Sequence, residues 1–363
     1  MTVPFIDLKR QHDALQPHLN AVVQSVIESG RFIGGEIVRQ FEAELANFYA
    51  VRHAISVGNG TNGLEILIRA LDLPASSEIL VPAYSWISSA HAVINAGHQP
   101  VFVDIQADSF LCTEQSFANR ISSETKAILL VHLYGEMYEM KGIRSFARRH
   151  GLQIIEDAAQ AHNAADINGI KPAEYSAGAV LSFYPTKQLG ALGDAGAILT
   201  SDSALAEKCR RLANYGAIFP ERDYKLPGTN SRLDSIQAAV LTLKLGHLKS
   251  WTERRFSIAK MYEDRLGSVD EIMLPQLDNG HGLYLYSIRT GKRNELRSFL
   301  KGQGVDTGLN YDYVMPNTSY YSDRGSFPNA TLAANQTINL PCFPELRDEE
   351  VAYVCDMVVQ FFS

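Results

Sequence analysis

The sequence predicts an α/β fold in which helices cover both faces of a mostly parallel β-sheet. The first observation is a series of short runs rich in Val, Ile and Leu, the pattern of strands that are buried on both faces. The second is that these runs alternate with helical stretches over roughly 150 residues, which is typical of a parallel sheet. The seven runs occupy residues 53–57, 78–82, 99–104, 126–131, 152–157, 178–183 and 196–201.

Helical patterns flank this region on both sides. Before it, apolar residues recur at helical spacing from Leu15 to Ile27. After it, a long helical signal that Asn230 is expected to begin extends to residue 266, and the remaining chain alternates again, less regularly. We therefore expect a large domain over residues 1–250, which includes the N-terminal helical segment, and a smaller C-terminal α/β domain over residues 251–363.

Composition narrows the class of protein. The chain of 363 residues is 46% hydrophobic and 20% charged, which supports a large core and excludes long disorder. Its formal net charge is −7 and it has no Lys/Arg block, so neither nucleic acid nor an anionic membrane surface is an expected partner. Four scattered cysteines predict neither a metal site nor a disulfide framework. With no signal-peptide pattern and no run long enough to span a membrane, a cytosolic protein is expected.

Ligands of an open parallel sheet lie beyond the carboxyl ends of its strands, so the residues after each run are the site candidates. The first run is followed by Gly-Asn-Gly-Thr-Asn-Gly at 58–63, which opens a helix. Free backbone amides and the positive end of a helix dipole favour an anion there, typically phosphate. The segment has neither the lysine of a Walker loop nor a GxGxxG fingerprint. An ordinary capped turn is the alternative interpretation.

Two further runs are followed by ring side chains. Trp86 comes after the second run, where a flat ring is able to stack on a flat cofactor, and a core aromatic is the alternative. His132 comes after the fourth run, where it is either a ligand or base, or a structural histidine.

An acid and a lysine follow the fifth and sixth runs. Asp157 ends an apolar strand, where a carboxylate needs a cationic or hydrogen-bonded partner, or else caps a helix. Lys187 lies in a glycine-rich loop between two strands. A loop lysine is commonly only solvated, but the predicted sheet edge that it shares with Asp157 favours a functional role.

A phosphate cradle, a flat ring, an acid and a lysine together match the chemistry of pyridoxal 5′-phosphate. The lysine amine forms a Schiff base with the aldehyde, and the acid keeps the pyridine nitrogen protonated so that the ring accepts electrons. The helix N-terminus holds the phosphate. The sequence therefore predicts pyridoxal phosphate as the cofactor.

Over nearly its whole length the chain resembles the pyridoxal-phosphate-dependent nucleotide-sugar aminotransferases of the DegT/DnrJ/EryC1/StrS family. The resemblance rests on the segments NGTNGLE, VPAYSWISS, VHLYGE, IIEDAAQAH, NSRLDSIQAAVL and, most specifically, SFYPTKQLGALGDAGAI. It implies the fold type I aminotransferase architecture, with a seven-stranded large domain and a small C-terminal domain. It also implies a homodimer with shared active sites.

The same resemblance implies roles for individual residues. Lys187 would form the Schiff base and carry the proton, and Asp157 would pair with the pyridine nitrogen, which makes these two the catalytic residues. The further implied cofactor contacts are a stack on Trp86, a contact of Gln160 with the phenolic oxygen, and a phosphate set of Gly60, Thr61, Asn62, Ser182 and the partner subunit's Asn230. The residues in segments that face the nucleotide sugar in the family are Tyr184, Lys225, Asn310 and Tyr311.

The chain departs from the family pattern at a few positions. Tyr284 and Asn310 stand where the family often has His, and Gln188 stands where it usually has Asn. These departures leave the core chemistry intact and bear on which sugar is used.

The expected reaction moves an amino group from an amino acid, expected to be glutamate, to a keto group of a nucleotide-linked deoxy sugar by a ping-pong mechanism. The opening FIDLK resembles members that aminate C3 of a dTDP-linked 3-keto-6-deoxyhexose, and a UDP-linked 3-keto uronate or a C4-keto sugar is the alternative. Relatives that act as dehydratases have lost the lysine, so Lys187 argues against that chemistry. A non-catalytic regulator that binds the cofactor or a sugar nucleotide is the alternative from another class.

Overall fold

The computed structural model describes residues 1–218, 220, 223–278, 280–321 and 325–363. In these ranges the chain forms thirteen α-helices and nine β-strands. The helices are α1 Leu8–Ala14, α2 His18–Ser29, α3 Glu36–Tyr49, α4 Gly60–Ala70, α5 Ser88–Asn95, α6 Glu114–Ala118, α7 Met140–His150, α8 Ser203–Ala213, α9 Ser235–Leu245, α10 Leu248–Leu266, α11 Arg293–Gly302, α12 Pro328–Gln336 and α13 Asp348–Phe362.

Seven strands form the main sheet, in the order β1-β7-β6-β5-β4-β2-β3. They are β1 His53–Val57, β2 Glu78–Pro82, β3 Gln99–Val103, β4 Thr125–Val131, β5 Gln153–Asp157, β6 Gly178–Ser182 and β7 Gly196–Thr200. Each of the seven predicted runs forms a strand, to within one residue at either end. The strands are almost entirely buried, as expected for a sheet that is covered on both faces.

One strand of this sheet runs against the others. β7 pairs antiparallel with both β6 and β1, whereas the pairs among β2, β3, β4, β5 and β6 are parallel. A parallel neighbour requires a long crossover connection, usually a helix, and the loop from 183 to 195 contains none. The chain therefore returns antiparallel. Because β1 and β6 both pair antiparallel with β7, they run in the same direction, and the carboxyl ends of β1, β2, β4, β5 and β6 share one sheet edge.

The long helical signal over residues 231–266 forms two helices instead of one. α9 ends at Leu245, and α10 begins at Leu248 after a turn at Gly246 and His247. Glycine has a low helix propensity, and here it stands where the chain changes direction between the two helices. Asn230 was expected to begin the long helix, which was wrong: α9 begins five residues later at Ser235, and Asn230 forms an isolated antiparallel bridge with Asn214.

Two large apolar cores organise the chain. One surrounds the seven-stranded sheet. The other packs α10, α11 and α13 against a two-stranded antiparallel sheet of β8 Tyr286–Arg289 and β9 Thr337–Leu340. Val3, at the opposite end of the chain, is fully buried in this second core. The boundary that was predicted at residue 250 falls inside α10 and stays a prediction.

Within the described ranges, no helix is both long enough and apolar enough to cross a lipid bilayer.

Candidate active site

The loops that follow β1, β2, β5 and β6 enclose a cavity of about 610 Å³ at the carboxyl edge of the main sheet. We call it the edge cavity. Its lining residues are Asn59, Gly60, Thr61, Asn62, Leu64, Ser85, Trp86, Ser88, Val131, Asp157, Ala159, Gln160, Ser182, Tyr184, Thr186, Lys187, Asp194, Tyr284, Asn310 and Tyr311. All of the predicted cofactor contacts except Asn230 therefore line one cavity.

The N-terminus of α4 forms one end of the edge cavity. The side chain of Asn59 caps this helix by accepting a hydrogen bond from the Asn62 amide at 2.8 Å. The first two helical residues, Gly60 and Thr61, line the cavity. A Cβ atom on Gly60 would lie 2.9 Å from Cβ of Ser182, so only glycine lets the helix start this close to the end of β6. The arrangement offers an anion backbone amides at a helix N-terminus.

Asp157 is a buried carboxylate at the end of β5. Its Oδ2 accepts a hydrogen bond from Ser89 Oγ at 2.8 Å, and its Oδ1 accepts one from the Ala159 amide at 3.2 Å. Burial raises the pKa of Asp157, while these hydrogen bonds and the charge of Lys187 act in the opposite direction. No cationic side chain of the described ranges lies within ion-pair distance of it. A cationic ligand atom beside this carboxylate would favour its ionised form.

Gln160 lines the edge cavity together with Asp157 and the rings of Trp86 and Tyr311. Gln160 is held at both ends of its amide: Oε1 accepts from the Tyr134 backbone amide at 2.8 Å, and Nε2 donates to the Tyr311 hydroxyl at 3.0 Å. One hydrogen of Nε2 remains for a further acceptor. Trp86 is 51% exposed, and its ring centroid lies 5.5 Å from that of Tyr311. Trp86 is therefore not a core aromatic, and its ring is accessible to a ligand.

Lys187 lies in a loop that folds tightly back on itself. The Lys187 amide donates to the Tyr184 carbonyl, and a Cβ atom on Gly190 would lie 2.2 Å from the Pro185 carbonyl oxygen. Glycine is thus required for the loop to close. The Lys187 amine has no hydrogen bond and no ion pair in the described part of the chain, and it lies over the ring face of Tyr284. An amine with no polar partner is available for covalent chemistry.

The residues that were expected to face a sugar lie in different surroundings. Tyr184 is 52% exposed on the cavity wall, and Asn310 lines the same cavity. Tyr311 is buried, and its hydroxyl binds Gln160. Lys225 and Asn230 are exposed and lie outside the edge cavity of their own chain. For His132, the structural interpretation holds: its side chain is fully buried outside the cavity, and Nε2 lies 2.7 Å from Glu156 Oε2.

Sequence reasoning missed two side chains at the site. Ser89 Oγ donates to Asp157, and it lies four residues after Ser85, which precedes α5 and shares a hydrogen bond with Ser89. No local sequence pattern pointed to this contact. Tyr284 contacts Lys187 across 97 residues of chain, and its only signal was the departure from the family pattern.

Comparisons with known proteins agree with this geometry. A model of the DegT/DnrJ/EryC1/StrS aminotransferase family matches residues 13–359. The chain is 38% identical over 362 residues to a dTDP-3-amino-3,4,6-trideoxy-alpha-D-glucose transaminase of Streptomyces venezuelae, with 98% of this chain and 95% of that protein covered. It is also 38% identical over 372 residues to a pleiotropic regulatory protein of Geobacillus stearothermophilus, with 100% and 99% covered.

The fold agrees equally well with a solved structure. The X-ray structure of S. venezuelae DesV in complex with a ketimine intermediate superposes with a TM-score of 0.96 at 38% identity. The match covers 100% of this chain and 99% of the DesV chain. This similarity confirms the predicted α/β fold class.

Proposed function

The chain belongs to the DegT/DnrJ/EryC1/StrS aminotransferase family, and on that premise we propose that it transfers an amino group from glutamate to the keto group of a nucleotide-linked deoxy sugar, with pyridoxal 5′-phosphate as the cofactor. The observation that carries the proposal is the edge cavity, where a buried Asp157 carboxylate and a Lys187 amine that has no hydrogen bond within the described ranges line the same space. We further propose a dTDP-linked 3-keto-6-deoxyhexose as the acceptor. The Streptomyces relative, which is named for a dTDP-linked 3-amino sugar, supports it.

The residues of the cavity fit pyridoxal phosphate. Gly60 and Thr61 at the start of α4, with Asn62 and Ser182 beside them, would hold the phosphate. Trp86 presents an accessible ring for stacking. When bound, the cofactor supplies an electron sink for the carbanion that forms next to an amino group.

Three side chains of the cavity would orient the cofactor and move the proton of the amino donor. Asp157, fixed by Ser89 and the Ala159 amide, would hold the protonated ring nitrogen as a carboxylate. Gln160, fixed by Tyr134 and Tyr311, would offer its remaining N–H to the phenolic oxygen. Lys187 Nζ would hold the aldehyde carbon in the resting protein and, once the donor's amine had displaced it from that carbon, would take the proton from the donor's α-carbon. Donor and acceptor use the same cavity in turn, so ping-pong kinetics are expected.

We also propose a homodimer in which each cavity is completed by the partner subunit. Lys225 and Asn230 lie outside the cavity of their own chain, on an exposed stretch that packs against the end of α8. Large apolar side chains are exposed near this stretch in sequence, on α2 and in the loop between α2 and α3, namely Tyr215, Tyr224, Ile27, Phe32 and Ile33. A permanent interface would cover such side chains, and it would carry the partner's Asn230 to the phosphate end of the cavity.

Mixing two inactive variants tests the shared site. Asn230→Asp sets a carboxylate against the phosphate of the site that it serves, and Lys187→Ala removes the amine. In a mixed dimer, the chain that keeps Lys187 receives Asn230 from its partner, so one site is fully wild type. Refolding the two together should restore up to about a quarter of wild-type activity in an equal random mixture. No recovery in proven heterodimers would remove the shared-site proposal.

Absorbance and a substrate screen test the reaction itself. With pyridoxal phosphate the protein should absorb in the visible region, and glutamate should bleach the band. The bleached protein should then pass its amino group to a dTDP-linked 3-keto-6-deoxyhexose faster than to a UDP-linked 3-keto uronate or a C4-keto sugar. Absence of bleaching with every amino acid would favour a non-catalytic regulator; the Geobacillus relative is named a pleiotropic regulatory protein.

A further inference from the structure

The amine of Lys187 lies over an aromatic ring. Its Nζ is 4.3 Å from the ring centroid of Tyr284, and both residues line the edge cavity. This distance is well within the range in which an ammonium group is attracted to the negative face of a π system. No carboxylate in the described ranges forms an ion pair with Lys187, whereas the Tyr284 ring lies within cation–π distance of its amine.

Tyr284 is held rigidly beneath the lysine. Its amide donates to the Tyr134 carbonyl at 2.8 Å, and its carbonyl accepts from Arg255 Nη1 at 3.1 Å. Its hydroxyl lies 3.5 Å from Thr186 Oγ1, and only 8% of the residue is exposed. The backbone of Tyr284 is therefore held between the turn after β4 and α10, and burial of its ring beside Thr186 restricts movement of the ring away from Lys187.

We propose that Tyr284 is a positioning residue for Lys187: its ring face holds the Lys187 amine, as an ammonium group, whenever that amine is not joined to another group. A carboxylate in this position would bind the ammonium more strongly and oppose its release. A π face attracts the charge but occupies none of its hydrogens, so the amine stays oriented and free to react. The inference rests on the role proposed above for Lys187, and it gives a physical meaning to a tyrosine where the family often has histidine.

The test measures the reactivity of Lys187 in the protein without cofactor. Trace acetic anhydride at one fixed pH labels amines only in their neutral form, and peptide mass spectrometry gives the Lys187 rate relative to other lysines. Position 284 is occupied in turn by phenylalanine, 4-fluoro-, 3,5-difluoro- and 3,4,5-trifluorophenylalanine. Fluorine weakens the negative face of the ring while its shape stays nearly constant. The labelling rate of Lys187 should rise in that order, by about two- to fivefold over the series.

Two substitutions separate this effect from simple packing. Tyr284→Leu removes the ring and should label at least as fast as the trifluoro variant. Tyr286→Leu is the matched control, because it removes a buried ring of the same size two residues away that contacts Tyr262 instead of Lys187. It should leave the Lys187 rate unchanged. A rate that is independent of fluorine content, or an equal change in Tyr286→Leu, would overturn the proposal.

The same proteins distinguish this failure from failure of the proposed function. Visible absorbance on addition of pyridoxal phosphate reports whether Lys187 joins the cofactor at all. A flat fluorine series with normal absorbance would reject only the role of Tyr284. If the labelling rate rose with fluorine content but no visible band formed, the role of Tyr284 would stand and the aminotransferase role of Lys187 would be rejected.

Discussion

Two lysines differ in the hydrogen bonding of their amines: Lys187 lies in the loop between β6 and β7, and Lys244 contacts that loop from α9. Lys187 lines the edge cavity and has no polar partner in the described ranges. Lys244, on α9, is fully buried, and its Nζ donates to the Gly190 carbonyl and to Gln11 Oε1, each at 2.9 Å, and lies 3.4 Å from His12 Nε2. A structural amine uses its hydrogen bonds to hold backbone in place, and a reactive amine keeps them free. The structural amine of Lys244 thus binds the backbone only three residues away from the reactive Lys187, at Gly190.

The largest expected effect is the loss of the free amine. Lys187→Ala should abolish transamination by several orders of magnitude, because no other group at the cavity is suited both to imine formation and to proton transfer. Its unfolding free energy should stay close to that of the wild type, since the amine makes no hydrogen bond to any part of the chain that the structure describes. Steady-state kinetics and urea unfolding measure the two quantities, with Lys249→Ala on the exposed face of α10 as the control. Near-native turnover in Lys187→Ala would show that Lys187 is not the reactive lysine.

Removing the charge of Asp157 should have the next largest effect. Asp157→Asn keeps the shape and a hydrogen-bond acceptor but cannot balance a positive charge on the ring nitrogen. We expect kcat to fall at least tenfold, where each factor of ten is ~1.4 kcal/mol of transition-state stabilisation, and cofactor affinity to fall less. Asp264→Asn on exposed α10 is the control. Unchanged turnover would make Asp157 a structural acceptor only.

A smaller effect is expected when the support of Asp157 is removed. The Ser89 hydrogen bond lowers the pKa of Asp157 against the effect of burial, so Ser89→Ala should raise that pKa further. Because the carboxylate is the active form, the acidic limb of the kcat/KM profile should move to higher pH. At neutral pH the loss should be about tenfold or less. A profile that superposes on the wild type would show that Ser89 does not tune Asp157.

Lys244 should affect the free energy of unfolding and not the activity. Burial lowers the pKa of Lys244 to about 8 from its ordinary value of 10.5, so between these pH values the unfolded chain binds more protons than the folded one. The unfolding free energy of the wild type should therefore rise with pH through this window, by at most ~1.4 kcal/mol per pH unit, relative to Lys244→Met. The pKa of His12, which burial and the Lys244 charge both lower, lies below this window. Parallel stability curves from urea unfolding at each pH would contradict the account.

Local patterns predicted the strands and four features of the cavity, namely the glycine-rich turn at 58–63, Trp86, Asp157 and Lys187, whereas Gln160, Ser182 and the sugar-facing residues followed only from the resemblance to the family. Seven apolar runs identified seven strands, and the rule that ligands lie beyond strand ends brought Asp157 and Lys187 to one edge. The direction of β7 depended on how the chain crosses between strands, and no run of residues encodes that by itself.

Contacts between distant segments were the part that could not be predicted. Lys244 stands in the apolar helix SIQAAVLTLKL, where a lysine normally marks the solvent face, and distant parts of the chain, among them α1 and the loop at Gly190, bury it. Tyr284 reaches Lys187 because the entrance to β8 packs against the loop of the main sheet. Local periodicity contains no information on either approach.

The most direct test of the central claim identifies the lysine that reacts. The protein is incubated with pyridoxal phosphate, reduced with borohydride, digested and mapped by mass spectrometry. The account predicts that the pyridoxyl group is found on Lys187 and that Lys187→Ala is not labelled, while Lys244 stays unmodified in both proteins. A pyridoxyl group on another lysine in the wild type, or undiminished specific labelling of Lys187→Ala, would contradict it.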